Sequence, residues 1–182
     1  MTFDNEAPTL YLNVDGALGV GRVKVDARPG LHKGALVGVD CDKPAFEFAH
    51  VFAELIRPYP VVQVVISLAW IRLLPSARVN SRLPGELLNR IVMCSSIANH
   101  DECKLVDGTA DPRTIIRHAT DFNVKRWLAL QNTSFPIPKR YEQNFVTTDD
   151  MLGVNCPEIQ AFLRAWMNNA RQASEQARKV ET

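Results

Sequence analysis

The sequence predicts an α/β domain of three layers with a Rossmann-like arrangement, in which helices cover both faces of a mainly parallel sheet. The first observation is that short apolar runs typical of strands alternate with helical patterns along the chain. The second is residues 61–66 (VVQVVI), an almost wholly apolar run rich in valine, as in strands buried on both faces of a parallel sheet. A chain of 182 residues that is 46% hydrophobic and 23% charged is typical of one domain with a substantial core.

The composition excludes several classes of protein. Lys and Arg number 21 against 20 Asp and Glu, and this balance does not indicate a general clamp for a polyanion. The longest apolar stretch, residues 60–74, is interrupted by Gln63, Ser67 and Arg72, so no membrane-spanning helix is predicted. Residues 1–8 contain no apolar segment of the kind found in signal peptides, so we expect a cytoplasmic protein with reduced cysteines.

The first predicted elements are strands. Residues 9–14 (TLYLNV) form an apolar, β-branched run that ends in the turn signal Asp15–Gly16, which predicts a buried strand leading into a loop. Residues 22–25 (RVKV) and 35–39 (ALVGV) follow among several glycines. These two runs predict a small hairpin or flap.

A helix is predicted next, beginning at Pro44 and ending before Pro58. Phe48, Phe52 and Leu55 follow a spacing of i, i+4 and i+7, which places them on one helical face. The valine-rich strand 61–66 follows this helix.

The second half of the chain repeats the alternation. A short helix is predicted at 83–90 after Pro84, a short strand at 91–93, and a helix that starts at Asp111–Pro112 and packs through Ile115 and Ile116. Residues 126–130 (RWLAL) and 145–147 predict two more strands, the second at an edge of the sheet. Pro157 begins a closing helix whose predicted apolar face contains Ile159, Phe162, Leu163 and Trp166. We expect a domain over residues 1–170 and a polar tail over 171–182.

Polar residues follow each predicted core strand. They are Asn13 to Gly16 after the first strand, Ser67 after the second, and Gln131 with Asn132 after the third. In an open parallel sheet, ligands bind beyond the carboxyl ends of the strands. The sequence therefore predicts one pocket at this edge of the sheet.

The order and spacing of these residues resemble the haloacid dehalogenase (HAD) superfamily of phosphotransfer enzymes. Its first motif, an apolar strand ending in Asp-x-Asp-Gly, is matched by Asn13-Val14-Asp15-Gly16. Its second motif, a Ser or Thr that ends the next core strand, is matched by Ser67. The third is a cation at a helix start, for which Arg113 is the first candidate and Arg117 the second.

Within this superfamily, the chain is most similar to the HAD domain of Swiss Army Knife RNA repair proteins. The similar segments are residues 67–70 (SLAW), 83–84 (LP) and 126–132 (RWLALQN). The likeness extends from Thr9 to Trp166. The resemblance implies a HAD-like domain with a phosphate-binding pocket formed by Ser67 and Arg113 or Arg117.

The resemblance also implies a chemistry for which this chain lacks key groups. In the family an aspartate at position 13 attacks phosphorus, and an aspartate at position 15 transfers the proton. Magnesium is held by residues 13 and 15 and by an acid at 131 or 132, whereas this chain has Asn13, Gln131 and Asn132 and keeps only Asp15. Amides preserve shape and hydrogen bonding but carry no charge for a hard cation. We therefore expect a degenerate site that binds Mg²⁺ weakly or not at all.

Two functions remain open at this point. The first is a non-catalytic domain that binds a phosphorylated small molecule, a nucleic-acid end or a protein partner. The second is an active Mg²⁺-dependent phosphate-ester hydrolase, a phosphatase for small molecules or nucleic-acid ends, that uses Asp15 with Asp149 or Asp150. In either case, we expect strand-end residues at a pocket to tolerate substitution, because they are not core.

Two other groups of residues have alternative interpretations. Cys94, His100 and Cys103 offer soft ligands for zinc, but structural zinc sites need four ligands and no fourth one is nearby. The pairs 125–126 (KR) and 139–140 (KR) either flank the mouth of the pocket or form an ordinary solvated surface, which the balanced charge favours.

Overall fold

The computed structural model describes residues 3–13, 17–19, 23–26, 35–39, 46–66, 83–92, 112–131, 136–149 and 151–180. The strands are β1 (Thr9–Leu12), β2 (Val23–Asp26), β3 (Ala35–Val39), β4 (Gln63–Ile66), β5 (Trp127–Gln131) and β6 (Phe145–Thr147). The helices are α1 (Ala49–Ile56), α2 (Gly85–Leu88), α3 (Pro112–Asp121) and α4 (Pro157–Val180). Short 3₁₀ helices span Lys139–Asn144 and Gly153–Asn155.

The main sheet is parallel throughout and has the strand order β4-β1-β5-β6. A single parallel bridge between Val64 and Ile91 extends it beyond β4, where the sequence predicts a short strand. Counted in chain order from that end, the arrangement is 3-2-1-4-5, which is the order of doubly wound α/β domains. Strands β2 and β3 pair antiparallel as a separate two-stranded sheet, which confirms the predicted hairpin.

Side chains alternate between the two faces of the sheet and build a core on each face. Leu10 and Leu12 of β1 face a cluster that includes Phe52 of α1, Leu87 of α2 and Leu163 of α4. Tyr11 and Ala129 face the opposite cluster, to which α3 contributes Ile115 and Ala119. The predicted three-layer α/β architecture is therefore confirmed.

The first helix begins later than the sequence predicts. It starts at Ala49 rather than Pro44, which lies outside the described residues. Phe46 has a φ of 65°, in the left-handed region that a right-handed helix does not use. In addition, the backbone N–H of Phe48 donates to the carbonyl of Leu18, at 2.7 Å. The helix start is thus set by a contact with the segment after β1, which no local pattern encodes.

Helix α4 is confirmed, and three residues of its predicted apolar face pack into the core: Leu163 is buried, and Ile159 and Trp166 are partly buried against the same cluster. Leu163, Met167 and Ala170 are buried, at spacings of four and three residues, whereas Phe162 is 47% exposed. Since neighbouring residues on a helix point about 100° apart, a stripe centred on Leu163 leaves Phe162 at the solvent side. Helix α4 continues to Val180, and the division into a domain and a tail at residue 170 stays a prediction. No helix within the described ranges is long and apolar enough to cross a membrane.

Two glycines offer a test of how closely the segment after β1 packs. A Cβ at Gly19 would lie 3.1 Å from the backbone N of Phe46, whereas a Cβ at Gly85 would meet nothing within 4 Å. We expect Gly19→Ala to lower the free energy of unfolding by about 1 kcal/mol, because the crowded atom belongs to the backbone. Gly85→Ala, at the start of α2, should leave stability unchanged or raise it by up to about 1 kcal/mol. Urea unfolding of both variants measures the difference, and equal effects would contradict the close approach.

Candidate functional site

The carboxyl edge of the sheet is built by main-chain pairing that continues past the strand ends. Leu12 is in register with both Ile66 and Leu130. The N–H of Asn13 donates to the carbonyl of Leu130 at 2.9 Å, and that of Thr148 donates to the carbonyl of Gln131 at 2.9 Å. These bonds hold Asn13 and Thr148 on either side of the carboxyl end of β5.

The polar side chains at this edge are buried. Asn13 and Gln131 are both 0% exposed, and Thr148 is 3% exposed. Within the described part of the chain, neither Oε1 nor Nε2 of Gln131 has a hydrogen-bond partner, and the Thr148 hydroxyl has none. Buried polar atoms are almost always satisfied, so a side chain with two unsatisfied atoms marks a place that suits a polar ligand or water.

The described residues before and after Asp15 are held by buried contacts and main-chain bonds. Asn13 precedes it at the end of β1, and the fully buried Ala17 and Leu18 follow it. The carbonyl of Ala17 accepts from the N–H of Val154, at 2.9 Å, in addition to the bond between Leu18 and α1. Asp15 itself lies outside the described residues, as do Ser67, Asn132 and Asp150.

The two candidate cations lie on successive turns of α3. The chain passes directly from the end of α3 to the start of β5, so α3 runs against the strand and begins at the carboxyl edge. Arg113 is exposed in the first turn of α3. Arg117 lies about 6 Å further along the axis, and its Nε is paired with the Asp121 carboxylate at 3.7 Å. The fold therefore places Arg113 nearer the site.

Asp149, one of the two acids considered as substitutes, has a local structural role. Its Oδ1 accepts from the N–H of Met151 at 2.7 Å and from that of Leu152 at 3.0 Å. The side chain is exposed and caps the turn that follows β6. This carboxylate oxygen is thus engaged by its own turn rather than by Asn13 or Gln131.

The described donor set does not fit Mg²⁺, the ion that the superfamily uses. Asn13 and Gln131 present neutral amides, whereas a small hard cation needs carboxylate oxygens to offset its dehydration. Among the residues that the structure describes, no three His, Cys, Asp or Glu side chains lie together as a metal cluster. Cys94, His100 and Cys103 fall outside those residues.

The basic pairs do not flank the mouth of this pocket. Arg126 lies at the amino edge of the sheet, where its carbonyl accepts from the N–H of Thr9 at 2.9 Å. The second pair, 139–140, belongs to the 3₁₀ helix before β6, and Asn144 at the end of that helix donates to the carbonyl of Trp127 at 2.9 Å. Because a strand rises about 3.3 Å per residue, the length of β5 separates Arg126 from Gln131 by roughly 16 Å.

Two features of the site region were not predicted from the sequence. Thr148 follows the predicted strand 145–147, and its position directly after a strand was the available signal. The second feature is a buried hydrogen bond of 2.6 Å between Oη of Tyr11 and Nδ1 of His118, in the core between the sheet and α3. These residues are 107 positions apart in the chain, so no local pattern relates them.

Comparison with known proteins agrees with this geometry. The family model for the HAD domain in Swiss Army Knife RNA repair proteins matches residues 9–159. No curated protein and no solved structure matches the chain. The match begins at β1 and ends within α4, so it spans every strand of the parallel sheet. The chain therefore belongs to the family of HAD domains found in Swiss Army Knife RNA repair proteins.

Proposed function

We propose that this HAD domain has lost the hydrolytic chemistry of its superfamily and keeps the pocket to bind a phosphorylated ligand. The observation that carries the proposal is the pair of buried amides, Asn13 and Gln131, at the ends of adjacent strands. In this family's chemistry both positions need a carboxylate, one to attack phosphorus and one to hold the metal. A neutral amide does neither.

The two amides favour binding of an anionic ligand at the carboxyl edge of the sheet over an edge that binds no ligand. A carboxylate there would repel an anionic phosphate unless a metal bridged the two, whereas an amide N–H donates to phosphate oxygen. The Gln131 amide has no other hydrogen-bond partner in the described residues, so both of its donors remain for a ligand. Phosphate binding without a metal is the function that this change of residues supports.

The remaining contacts would come from Ser67 and Arg113. We assign the cation to Arg113 because α3 begins at the carboxyl edge, and the N-terminal end of a helix favours an anion. Arg117 lies one helical turn further from that edge. The ligand we propose is a phosphorylated small molecule or a phosphorylated nucleic-acid end.

Titration calorimetry of the full chain with an aryl phosphate, and with a short RNA phosphorylated at one end, tests the proposal. We expect saturable binding that does not depend on Mg²⁺, and no release of inorganic phosphate. Ser67→Ala and Arg113→Gln should each weaken binding by about tenfold, as expected when a hydrogen bond to a charged group is lost. The matched variant Arg117→Gln should change the affinity by less than a factor of about two, as exposed ion pairs contribute little.

Another result would identify an active hydrolase instead. The natural chain would then turn over the aryl phosphate in a Mg²⁺-dependent way. Its activity would survive Asn13→Ala and be lost in Asp149→Ala or Asp150→Ala. That pattern would show that an acid after β6 replaces the missing carboxylates, and it would overturn the binding function.

A further inference from the structure

A second pocket lies at the amino edge of the sheet, opposite the proposed phosphate pocket at the carboxyl edge. Its volume is about 340 Å³, and it opens to solvent between the starts of β5 and β6 and the middle of α4. Its lining combines cations, amides and indole rings: Lys125, Arg126, Trp127, Gln143, Asn144, Trp166, Asn169 and Ala170. We propose that this pocket binds a single nucleotide unit, with the phosphate at the two cations and the base against Trp166.

The charge of the lining favours a phosphate. Lys125 and Arg126 contribute two positive charges, and no acidic residue lines the pocket. One guanidinium nitrogen, Nη1 of Arg126, donates to the carbonyl of Ala170 on α4 at 3.2 Å. This bond holds the planar group between β5 and α4, and within the described residues its other N–H donors have no partner. The ammonium of the neighbouring Lys125 is exposed, and its Nζ donates to the Oδ1 of Asn123 at 3.2 Å. Together the two cations are a suitable receptor for phosphate.

The two indoles have different roles. Trp127 is only 8% exposed, and its ring packs edge-on against Tyr11 and Phe145 in the core on the α3 face of the sheet, so this ring is not available for stacking. Trp166 is half-buried, and in the described part of the chain its ring contacts no other aromatic ring. It packs against the core cluster and also lines the pocket, so only the part of its ring at the pocket is available for a planar ligand. Bases stack on such rings irrespective of their identity.

The amides suit the edge of a base. Gln143 and Asn169 are exposed at the pocket, and each offers both a donor and an acceptor. Asn144 is oriented by the bond from its Nδ2 to the carbonyl of Trp127, at 2.9 Å, which leaves its Oδ1 as an acceptor. A pocket of about 340 Å³ is near the lower limit for small-molecule sites, about 300 Å³. This volume is sufficient for one nucleotide unit.

The site is separate from the proposed phosphate pocket and does not depend on it. It lies at the opposite ends of the strands and uses none of Asn13, Ser67, Arg113 or Gln131. A nucleotide unit can come from a free mononucleotide or from one position in an RNA strand. The two sources share their chemistry, so the test includes both.

The test is a titration of the full chain with 5′-AMP and with a six-residue oligoadenylate, followed by calorimetry and by amide shifts in NMR. We expect saturable binding of at least one, with the tighter of the two identifying the source. Trp166→Leu, which keeps an apolar side chain but removes the ring, should weaken binding by about tenfold. Trp166→Phe should recover most of that loss. Lys125→Gln should weaken binding several-fold and lower the salt slope for the oligonucleotide by about 0.7.

Arg164→Gln is the matched control, since Arg164 is an exposed cation of α4 that lies in a different groove. It should leave the affinity for both ligands unchanged. The proposal is overturned if neither nucleotide binds saturably, or if the Trp166 and Lys125 variants bind as well as the natural chain. It is also overturned if inorganic phosphate competes as strongly as 5′-AMP, because the pocket would then recognise an anion without its base.

Discussion

The double variant Asn13→Asp/Gln131→Asp should be about 3 kcal/mol or more less stable than the natural chain at pH 7 in the absence of divalent ions. Both positions are 0% exposed, and an uncompensated buried charge typically costs this much. Added Mg²⁺ should restore much of the loss, because a bound cation stabilises the folded state by mass action. The natural chain should show no comparable response to Mg²⁺. Thermal unfolding with and without the ion measures both effects.

The matched control for that variant is Thr147→Asp. Thr147 is in register with Gln131 on β6, but its side chain is exposed. A carboxylate there remains solvated, so stability should change by no more than about 0.5 kcal/mol. If Thr147→Asp destabilised the chain as much as the buried pair, the loss would come from charge at this edge in general and not from burial.

The same substitutions bear on catalysis. Asn13→Asp alone should restore little turnover of an aryl phosphate, because the nucleophile would return without the charge that holds the metal. Asn13→Asp combined with Gln131→Asp and Asn132→Asp should exceed any single change, and only with Mg²⁺. Equal activity of the single and triple variants would contradict our interpretation that the chain lacks a metal site in addition to the nucleophile.

The second large effect concerns His118. Burial lowers the pKa of His118 from 6.5 to about 4, and the nearby Asp121 offsets this only in part. The ring stacks on Phe122 and lies edge-on to Phe3 and Tyr11, while Nε2 has no partner in the described residues. The unfolded chain therefore takes up a proton near pH 6.5 that the folded chain accepts only near pH 4.

The sign of the pH effect follows from this difference. The free energy of unfolding should be at its full value above pH 6.5 and should fall as the pH decreases towards 4. The total loss from this group is about 3 kcal/mol, at 1.36 kcal/mol per pKa unit. His118→Gln should flatten that part of the profile, since glutamine does not titrate. Urea unfolding at several pH values between 4 and 7 checks it.

His50→Gln provides the control for the pH series. His50 is exposed on α1, so its side chain is solvated in both the folded and the unfolded states. We expect the profile of that variant to match that of the natural chain. An unchanged slope in His118→Gln would instead mean that other groups cause the acid sensitivity.

The sequence by itself determined the elements of the sheet and their class. The apolar runs at 9–14, 61–66 and 126–130 predicted β1, β4 and β5, because a strand buried on both faces must be apolar almost throughout. The motif order also predicted the family, which the match over residues 9–159 confirms. Signals of this kind lie within short segments of the chain, so they can be recognised without the tertiary structure.

Burial at the strand ends was decided only by the tertiary structure. The sequence predicted that strand-end residues would tolerate substitution because they are not core, but Asn13 and Gln131 are fully enclosed, so the reason given does not hold for these two positions. Likewise, the late start of α1 depends on the bond between Phe48 and Leu18.

The parallel topology also decided which residues share an edge. It places Lys125 and Arg126 at the amino edge, although they lie only a few residues from Gln131 in the chain. It also brings Tyr11 and His118 together across 107 positions. Burial and proximity of this kind depend on which elements pack against one another, and the spacing of residues along a single element does not contain that information.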